Sequence, residues 1–467
     1  MAIKTLHITN HYHPSSGGIR VFYHALLEAA DRHRREVCLV VPGTKDSIEK
    51  VGEFGRIYTI AAPPCPLFDS RYHLLLPHLY ALPYPSALRR ILQKEQPDLV
   101  EVCDKFALSC VPSVLRRHWI KGVAPAVLVG MSCERLDDNV SAYISERPIA
   151  KSLANWYLKK MYVTRFDCHI SNSEYTAGEL VQALANRPEI QVHVRPMGVD
   201  CSSFSPARRA ASAREALLSR LAIAPAGTKS PRLLLYAGRI SPEKNIEVLV
   251  DMIEILAADE SAQYHVLFAG DGPRAPWLKS IAPQKAPGRI HLLGHIASRE
   301  DLANLYANCD ALVHPNPREP FGIAPLEAMA SGLPVVAPRA GGVLSYANAS
   351  NSWLVRAEGS DFANGVREVF SDNAGKSRKV EQALRTAANF DWPQVARIFF
   401  DLYDELYNRF RQFRGVETEG HAHAGAPIRR GELSRTATLG CPAAAPTFYN
   451  SLTRLRSLDD TPQKPSA

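Results

Sequence analysis

The chain has 467 residues, more than one hydrophobic core organises, so we expect two or three domains. Its composition, with 46% hydrophobic and 22% charged residues, is that of an ordinary globular protein and excludes wholesale disorder. The formal net charge of +8 indicates a mild attraction to anions such as nucleotides, nucleic acid or an acidic membrane surface, and does not choose among them.

Short apolar runs alternate with helical patterns along most of the chain, which predicts βαβ units and parallel sheets. In the first half we expect a helix after Gly18 and strands at Thr5–Thr9, Val37–Val41, Asp98–Val102, Ala126–Val129, Cys168–Ile170 and Ile190–Val194. After a polar, basic stretch the pattern resumes, with a helix at Ser241–Leu256 and strands at Leu233–Tyr236, Val266–Ala269, Ile290–Leu293, Ala311–Val313 and Pro334–Val336.

These elements predict an α/β fold of two doubly wound, Rossmann-like domains, at residues 1–205 and 206–388, rather than one continuous sheet. A last helix begins near Asp391, with an apolar face at helical spacing, and we assign it residues 389–414. Residues 415–467 lack periodicity and are rich in small and polar residues, so we expect a disordered tail.

Two carboxylates flank a helix start in the second half. From Glu319 to Glu327 the chain reads Glu-Pro-Phe-Gly-Ile-Ala-Pro-Leu-Glu, with Pro325 suited to the first helical position and Gly332 to the residue past the helix end. The loop before this helix leaves the carboxyl end of a strand, where α/β sheets bind ligands. Glu319 in the loop and Glu327 in the first helical turn are therefore candidates to bind the hydroxyls of a sugar and a ribose. Acidic residues are also favoured at helix starts on electrostatic grounds alone.

A basic loop, Gly238–Asn245, follows the first strand of the second half. Ser241 suits the N-cap and Pro242 the first position of the next helix. Cations beside the free N–H groups of a helix start are typical of diphosphate binding, which makes Arg239 and Lys244 candidates. The alternative is a solvated basic loop.

Two glycine-containing loops give weaker signals. Ser15–Gly18 follows the first strand, and its glycines permit close backbone approach to a ligand. Gly270–Ala275 matches the Gly-x-Gly-x-x-Ala pattern of dinucleotide sites, but no acidic residue ends a following strand about 20 residues on.

The cysteine and histidine patterns predict neither a disulfide framework nor a metal site. Nine cysteines, an odd number with no Cys-x-x-Cys pair, indicate a reducing compartment rather than a disulfide framework. His7, His11 and His13 lack further ligands at metal spacing, so no metal site is expected.

The first residues lack the pattern of a signal peptide, and no run of about 18 apolar residues predicts a membrane span. We expect a cytoplasmic location, with peripheral contact at the inner face of the membrane left open.

Taken together, these segments resemble the family-4 retaining glycosyltransferases, which have the GT-B fold of two Rossmann-like domains facing a central cleft. The resemblance covers roughly residues 5–410 and is strongest over Tyr236–Glu247 and His314–Pro338. Its most specific part is the carboxylate pair separated by seven residues. The Gly-Arg-x-x-x-Glu-Lys-Asn segment supports it independently, and Pro196–Pro206 is similar to the hinge-proximal loop of the family.

The resemblance implies a hexosyltransferase that uses a nucleoside-diphosphate sugar and needs neither a metal nor another cofactor. Arg239 and Lys244 would neutralise the donor diphosphate, Glu319 would bind the sugar hydroxyls, and Glu327 the ribose. The other implied donor-binding residues are Gly18 and Gly238 at the phosphates, Phe321, Gly322 and Ile323 at the sugar through N–H groups, and Gly272, His295 and Ile296 near the base. The last helix would cross back onto the first domain.

One departure from the family lies in the amino-terminal domain. Many members carry a histidine after the strand predicted at Ala126–Val129, and this chain has Cys133 there. Glu134 and Asp137 are alternative contacts for the acceptor. The departure leaves open a catalytically inactive relative that binds nucleotide sugars.

Two other activities stay open. The Gly270–Ala275 pattern allows an NAD-dependent oxidoreductase on a two-Rossmann scaffold, although this leaves Glu319 and Glu327 unexplained. An epimerase of the GT-B fold, acting on a UDP-sugar, would need no acceptor.

The expected partners are the nucleotide-sugar donor and an acceptor hydroxyl. The donor base (UDP, GDP or ADP), the sugar and the acceptor are not fixed by any motif. Basic residues of the first domain and the apolar, proline-broken stretch Leu74–Leu82 favour a lipid-linked acceptor and a role in glycolipid or cell-surface polysaccharide synthesis. Aromatic and basic residues do not interleave as in single-strand binders, so nucleic acid is not expected.

Overall fold

A computed structural model describes residues 3–13, 17–65, 73–81, 86–143, 147–224, 230–259 and 262–423. One compact unit extends to Arg411 and a second begins at Gln412, of which only residues 412–423, the end of a helix, are described.

The first half forms an eight-stranded sheet with the strand order β3-β4-β2-β1-β5-β6-β7-β8. Its strands are β1 (Thr5–Thr9), β2 (Val37–Gly43), β3 (Ser47–Val51), β4 (Gly55–Ala61), β5 (Leu99–Cys103), β6 (Val127–Ser132), β7 (Cys168–Ser171) and β8 (Gln191–Val194). Its helices are α1 (Gly18–His33), α2 (Ala87–Glu95), α3 (Val111–Arg116), α4 (Leu136–Tyr143), α5 (Pro148–Tyr157) and α6 (Glu174–Ala183). All neighbouring strands are parallel except β3, which runs antiparallel to β4.

The second half forms a six-stranded parallel sheet with the order β11-β10-β9-β12-β13-β14. Its helices and strands, in chain order, are α7 (Ala211–Arg220), β9 (Pro231–Ala237), α8 (Glu247–Ala257), β10 (Gln263–Ala269), α9 (Ala275–Lys285), β11 (Ile290–Gly294), α10 (Arg299–Asn308), β12 (Ala311–Val313), α11 (Ile323–Ala330), β13 (Val335–Pro338), β14 (Trp353–Val355), α12 (Gly359–Ser371) and α13 (Asn373–Ala388). Central strands such as β10 are buried along their whole length, and the last four residues of β10, Val266–Ala269, form the apolar run that the sequence shows.

The predicted strands are all present, and the prediction of two separate sheets is confirmed. The boundaries at residues 205 and 388 stay predictions. The last helix continues to His423, past the predicted boundary at residue 414, and the rest of the predicted tail, from residue 424, lies outside the described residues. The predicted helix Ser241–Leu256 is wrong at its start. A 3₁₀ turn, Pro242–Lys244, is followed by Asn245 with a left-handed backbone (φ 55°), and α8 begins only at Glu247. Asparagine tolerates this conformation better than most residues.

The last helix, α14 (Trp392–His423), crosses back onto the first sheet's domain, as the resemblance implied. Tyr403 O–H donates to Glu101 Oε2 in β5 at 2.7 Å, and the Phe399 ring packs 4.8 Å from the Phe22 ring in α1. Arg35, which follows α1, pairs with Asp404. Two residues that the sequence did not single out, Glu101 and Tyr403, therefore help to join the end of the unit to its beginning.

The order of the strands places the loops that matter for a site. Each sheet has a switch point, where the order in which the parallel strands are added changes direction. It lies between β1 and β5 in the first sheet and between β9 and β12 in the second. Ligands of open α/β sheets bind outside the carboxyl ends of the strands at such a point. The loops after β9 and β12 are the two loops in which the sequence placed Lys244 and Glu319.

Candidate active site

The centre of the site is an ion pair between the loops that follow β9 and β12. Lys244 Nζ donates to Glu319 Oε2 at 2.8 Å and to Oε1 at 3.2 Å. Asn316 Nδ2 donates to the same Oε2 at 2.9 Å, and His314 Nε2 lies 3.5 Å from it. The Glu319 side chain is 11% exposed and that of Lys244 23%. Two residues from separate sequence motifs thus form one polar cluster, together with His314 and Asn316, which sequence reasoning did not single out.

Both members of the pair are held in their charged forms. Burial alone would raise the pKa of Glu319, but the Lys244 ammonium and His314 hold it well below its usual range. Burial would lower the pKa of Lys244, and Glu319 raises it instead. The site therefore presents a fixed carboxylate beside a fixed cation, suited to a sugar hydroxyl and a phosphate.

Glycines hold the loop that carries Glu319. The Gly342 N–H donates to the Glu319 carbonyl oxygen at 2.6 Å, and a Cβ on Gly342 would lie only 1.8 Å from the Pro320 carbonyl oxygen. Gly322, the N-cap of α11, has φ 85°, which favours glycine. Sequence reasoning missed Gly342, and its only signal is a glycine pair shortly after a strand.

The Phe321 ring is buried inside the domain. The ring is 2% exposed and packs edge-on against Tyr346, with centroids 5.2 Å apart. Phe390 lies 6.4 Å away in the same aromatic cluster. The side chain anchors the loop, and a ligand would meet only the N–H groups at the start of α11, which have no partner within the helix.

Gly18, in the domain of the first sheet, lies against the start of α11 in the domain of the second sheet. It is the first residue of α1, and a Cβ on it would lie 2.9 Å from Ile323 Cδ1 and 3.8 Å from Met197 Sδ. Ser173, after β7, donates its hydroxyl to the Pro320 carbonyl oxygen. The amino-terminal ends of α1 and α11, both favourable for anions, are thus neighbours across the two sheets. Ser15 and Ser16 lie outside the described residues.

The basic loop and the Gly270–Ala275 loop are bonded to each other. The Gly238 N–H donates to the Ala269 carbonyl oxygen at 3.0 Å, and a Cβ on Gly272 would lie 2.3 Å from the Ile240 carbonyl oxygen. The glycines of the dinucleotide-like pattern therefore serve the contact between two loops. Arg239 is exposed in this loop.

The residues expected near the base lie farther along the same edge. His295 and Ile296 follow β11, the outer strand, and the Gly270 N–H donates to the Gly294 carbonyl oxygen at 2.8 Å. His295 is exposed, and Ile296 packs partly against the core. Loops after β9, β10 and β11 thus form a continuous row.

Glu327 is in the second turn of α11, so its predicted place in the first turn is wrong, because Ile323 is the first helical residue and Pro325 the third. Tyr306 O–H donates to Glu327 Oε2 at 3.0 Å. Burial raises the pKa of Glu327 to about 7, against the opposing charge of Arg299. Unlike Glu319, this carboxyl changes its protonation near neutral pH.

The three acceptor-side candidates lie after β6, and they differ in exposure. Cys133 is buried, with its Sγ 4.0 Å from Cys103 Sγ, and the hydrogen bond to Cys103 together with burial raises the pKa of its thiol. Asp137 Oδ1 and Oδ2 accept from Arg135 Nε and Nη2 at 2.9 and 2.6 Å. The Glu134 carbonyl oxygen accepts from Lys105 Nζ.

Sequence reasoning missed a buried ion pair beside these residues. Lys105 and Glu179 are 1% and 3% exposed, and their Nζ and Oε2 atoms are 2.6 Å apart. Glu179 Oε1 also accepts the backbone N–H groups of Leu136 and Asp137, which start α4. A small cavity beside it is lined by His11, Ile19, Cys103, Asp104, Lys105, Met131, Ser132, Cys133 and Glu134. The pair thus fixes the start of α4 and the loop that carries the three acceptor-side candidates.

Replacing Cys133 by alanine tests whether the departure from the family histidine matters. The thiol is buried and its pKa is raised, so we expect kcat/KM to change less than about threefold, with a loss of about 1 kcal/mol in the free energy of unfolding. Steady-state kinetics and denaturant unfolding measure the two. A loss of transfer beyond about a hundredfold, with the fold intact, would assign Cys133 a direct role.

Two Rossmann-like sheets, with a charged pair at one switch point and paired helix starts between them, define the GT-B class of glycosyltransferases. Residues 223–387 match the family described as "Glycosyl transferases group 1", and residues 16–203 match "Glycosyltransferase Family 4". The chain belongs to this family. It is a retaining hexosyltransferase that moves a sugar from a nucleoside diphosphate to an acceptor hydroxyl.

Characterised relatives and solved structures agree with this class. The chain is 27% identical over 395 residues to the GDP-mannose-dependent alpha-(1-6)-phosphatidylinositol dimannoside mannosyltransferase of Mycobacterium tuberculosis, covering 84% of this chain and 94% of the relative. It is 25% identical over 338 residues to a GDP-mannose-dependent alpha-mannosyltransferase of Corynebacterium glutamicum, covering 72% of each. Among solved structures, sucrose-phosphate synthase from Thermosynechococcus elongatus has a TM-score of 0.70 at 21% identity, over 87% of this chain and all 100% of that one.

Two searches of the described residues bear on metals and membranes. None of the described helices is long and apolar enough to span a bilayer. No cluster of three or more histidine, cysteine or acidic side chains suited to a metal occurs in that part of the chain. Metal independence stays a prediction.

Proposed function

We propose that this hexosyltransferase takes mannose from GDP-mannose and attaches it to a hydroxyl of a lipid-linked acceptor. The observation that carries the site assignment is the Lys244–Glu319 pair at the switch point of the second sheet. The donor and the lipid class rest on the two mannosyltransferase relatives, of which the mycobacterial one acts on a phosphatidylinositol dimannoside.

Lys244 and Glu319 suit the two groups joined by the bond that breaks, the diphosphate and the sugar. An ammonium has three N–H donors, and Lys244 uses two on Glu319, which leaves one for the diphosphate. Arg239 adds a second cation, and the starts of α1 and α11 add N–H dipoles as the leaving group gains charge. Glu319 holds the sugar by its hydroxyls while the anomeric carbon gains oxocarbenium character.

The step balances without a metal or a redox partner. The bond from the anomeric carbon to the diphosphate oxygen breaks, and the acceptor oxygen forms its bond to the same face of that carbon, which gives retention. The acceptor proton passes to the leaving diphosphate oxygen. The protein supplies position and electrostatic stabilisation.

Donor affinity should depend on pH through Glu327. A carboxylate accepts hydrogen bonds from both ribose hydroxyls, and the protonated acid accepts them less well. Because the pKa of Glu327 is raised to about 7, ionisation and hence donor affinity increase as the pH rises through that value. We expect binding of GDP to be about tenfold tighter at pH 8 than at pH 6, measured by calorimetry.

Glu327→Gln is the control, because the phosphates of GDP titrate equally with either protein. The variant should bind GDP more weakly at pH 8 and lose most of the difference between the two pH values. An unchanged pH dependence in the variant would remove Glu327 from the ribose site.

A transfer assay tests the proposed donor and acceptor. Purified protein is incubated with labelled GDP-mannose or UDP-glucose and a bacterial lipid extract in detergent, and the label in the organic phase is counted. We expect label from GDP-mannose only, and at least about a hundredfold less of it with Glu319→Gln. Label from UDP-glucose instead would overturn the donor, and label only in water-soluble products would overturn the lipid acceptor. Donor binding with neither transfer nor hydrolysis would identify an inactive relative.

A further inference from the structure

Helix α5 presents an apolar face to the outside of the first domain. Of its ten residues only Ala154 is buried. Ile149, Leu153 and Trp156 are 80%, 64% and 55% exposed, which places three of the large exposed apolar residues of the described chain on one short helix. Their spacing of four and then three residues puts them on one side of the helix.

The chain segment that carries this face is basic. Residues 147–165 contain five cations and no acidic residue. Arg147, Lys151, Lys159 and Lys160 are exposed, before, within and just after the helix. An apolar stripe followed directly by Lys159 and Lys160 matches the surface of a bilayer with anionic headgroups, because the stripe enters the interface while these cations meet phosphates.

The side of this segment opposite the exposed face packs into the first domain. Leu158 and Tyr162, in the π-helical turn that continues α5, are 1% and 0% exposed. Tyr157 O–H donates to the Lys105 carbonyl oxygen at 2.8 Å and lies 2.9 Å from Ser109 Oγ. The exposed stripe is therefore part of the folded domain and attached to the loop that follows β5.

That loop links the face to the acceptor side. It carries Phe106, which is 50% exposed, and Lys105, whose ammonium contacts the Glu134 carbonyl oxygen. The stretch favoured for membrane contact on sequence grounds is less suitable, because Leu75 and Tyr80 within it are buried, and Leu82 lies outside the described residues.

We propose that α5, through Ile149, Leu153, Trp156 and the flanking cations, seats this protein on an anionic lipid bilayer. A second copy of the chain fits the face less well, since a two-fold contact would bring the same cations together. The proposal deepens the lipid-linked acceptor proposed above, and its test uses binding alone, without the transfer reaction.

The test is co-sedimentation of the full chain with vesicles at low salt. One set of vesicles is an equal mixture of phosphatidylglycerol and phosphatidylcholine, and the other is phosphatidylcholine alone. We expect binding to the first and much less to the second. Leu153→Ser with Trp156→Ser should weaken binding at least about tenfold, and Lys159→Gln with Lys160→Gln about 30-fold. Ile48→Ser, at a residue 59% exposed on β3, is the matched control and should bind as the wild type does.

Circular dichroism and thermal unfolding establish that the variants fold, as expected for exposed positions. Absence of binding to the anionic vesicles, or binding by both double variants as tight as that of the wild type, would overturn the proposal. A wild-type dimer in light scattering that Leu153→Ser with Trp156→Ser dissociates would also overturn it and assign the face to a second copy. Vesicle binding without transfer in detergent would count against the proposed acceptor only.

Discussion

Glu319→Gln is expected to lower kcat for hexosyl transfer by about 10²–10³-fold while the protein stays folded. The amide keeps the size of the side chain and removes the charge that the cluster of Lys244, Asn316 and His314 holds in place. A carboxylate accepts stronger hydrogen bonds from the sugar hydroxyls than an amide does, and these bonds strengthen as the anomeric carbon becomes positive. Steady-state kinetics with saturating donor measures the effect.

A matched carboxylate gives the control. Glu254 on α8 accepts from Lys285 Nζ at 2.9 and 3.2 Å, almost the geometry of the active-site pair, but both side chains are more than two-fifths exposed. Glu254→Gln should transfer at the wild-type rate. If Glu319→Gln also transferred at that rate, the carboxylate would have no role in the reaction.

Lys244→Met is expected to lower transfer by about 10³-fold and also to destabilise the protein by about 2–3 kcal/mol. The reaction loses the cation that meets the leaving diphosphate. The fold loses the partner of a carboxylate that is only 11% exposed, so a charge is left poorly compensated. Kinetics and denaturant unfolding report the two losses separately.

The double variant Lys244→Met with Glu319→Gln separates structure from catalysis. With both charges removed, most of the lost stability should return, because no unpaired charge remains. Transfer should stay at the level of the worse single variant. Recovery of transfer along with stability would mean that Lys244 acts only by keeping the loop folded.

Much of the fold was predictable because parallel strands with helices on both faces are apolar throughout. The strands around the site, β9, β10 and β12, were predicted to within a few residues. Both strands of the hairpin of β3 and β4 were missed. For β3 the reason is that it is a largely exposed edge strand with the polar sequence Ser-Ile-Glu-Lys-Val. Local periodicity cannot distinguish such a strand from a loop.

The site was predictable where a motif marks the end of a strand. Lys244 and Glu319 were both placed at carboxyl ends of strands, but only the order β9-β12 in the sheet makes them neighbours. Contacts between distant segments left no local signal, as with Gly342 against Pro320 or Lys105 with Glu179. The face of α5 was hidden for a different reason, because apolar residues at helical spacing look the same whether the face is buried or exposed.

The most direct test of the donor site is a thermal-shift titration of the wild type, Lys244→Met and Lys285→Met against GDP, UDP, ADP and NAD. We predict that GDP raises the melting temperature of the wild type and of Lys285→Met, and that Lys244→Met loses most of this stabilisation. Stabilisation by NAD alone, or an equal effect of GDP on Lys244→Met, would contradict a nucleotide-sugar site built on Lys244 and Glu319.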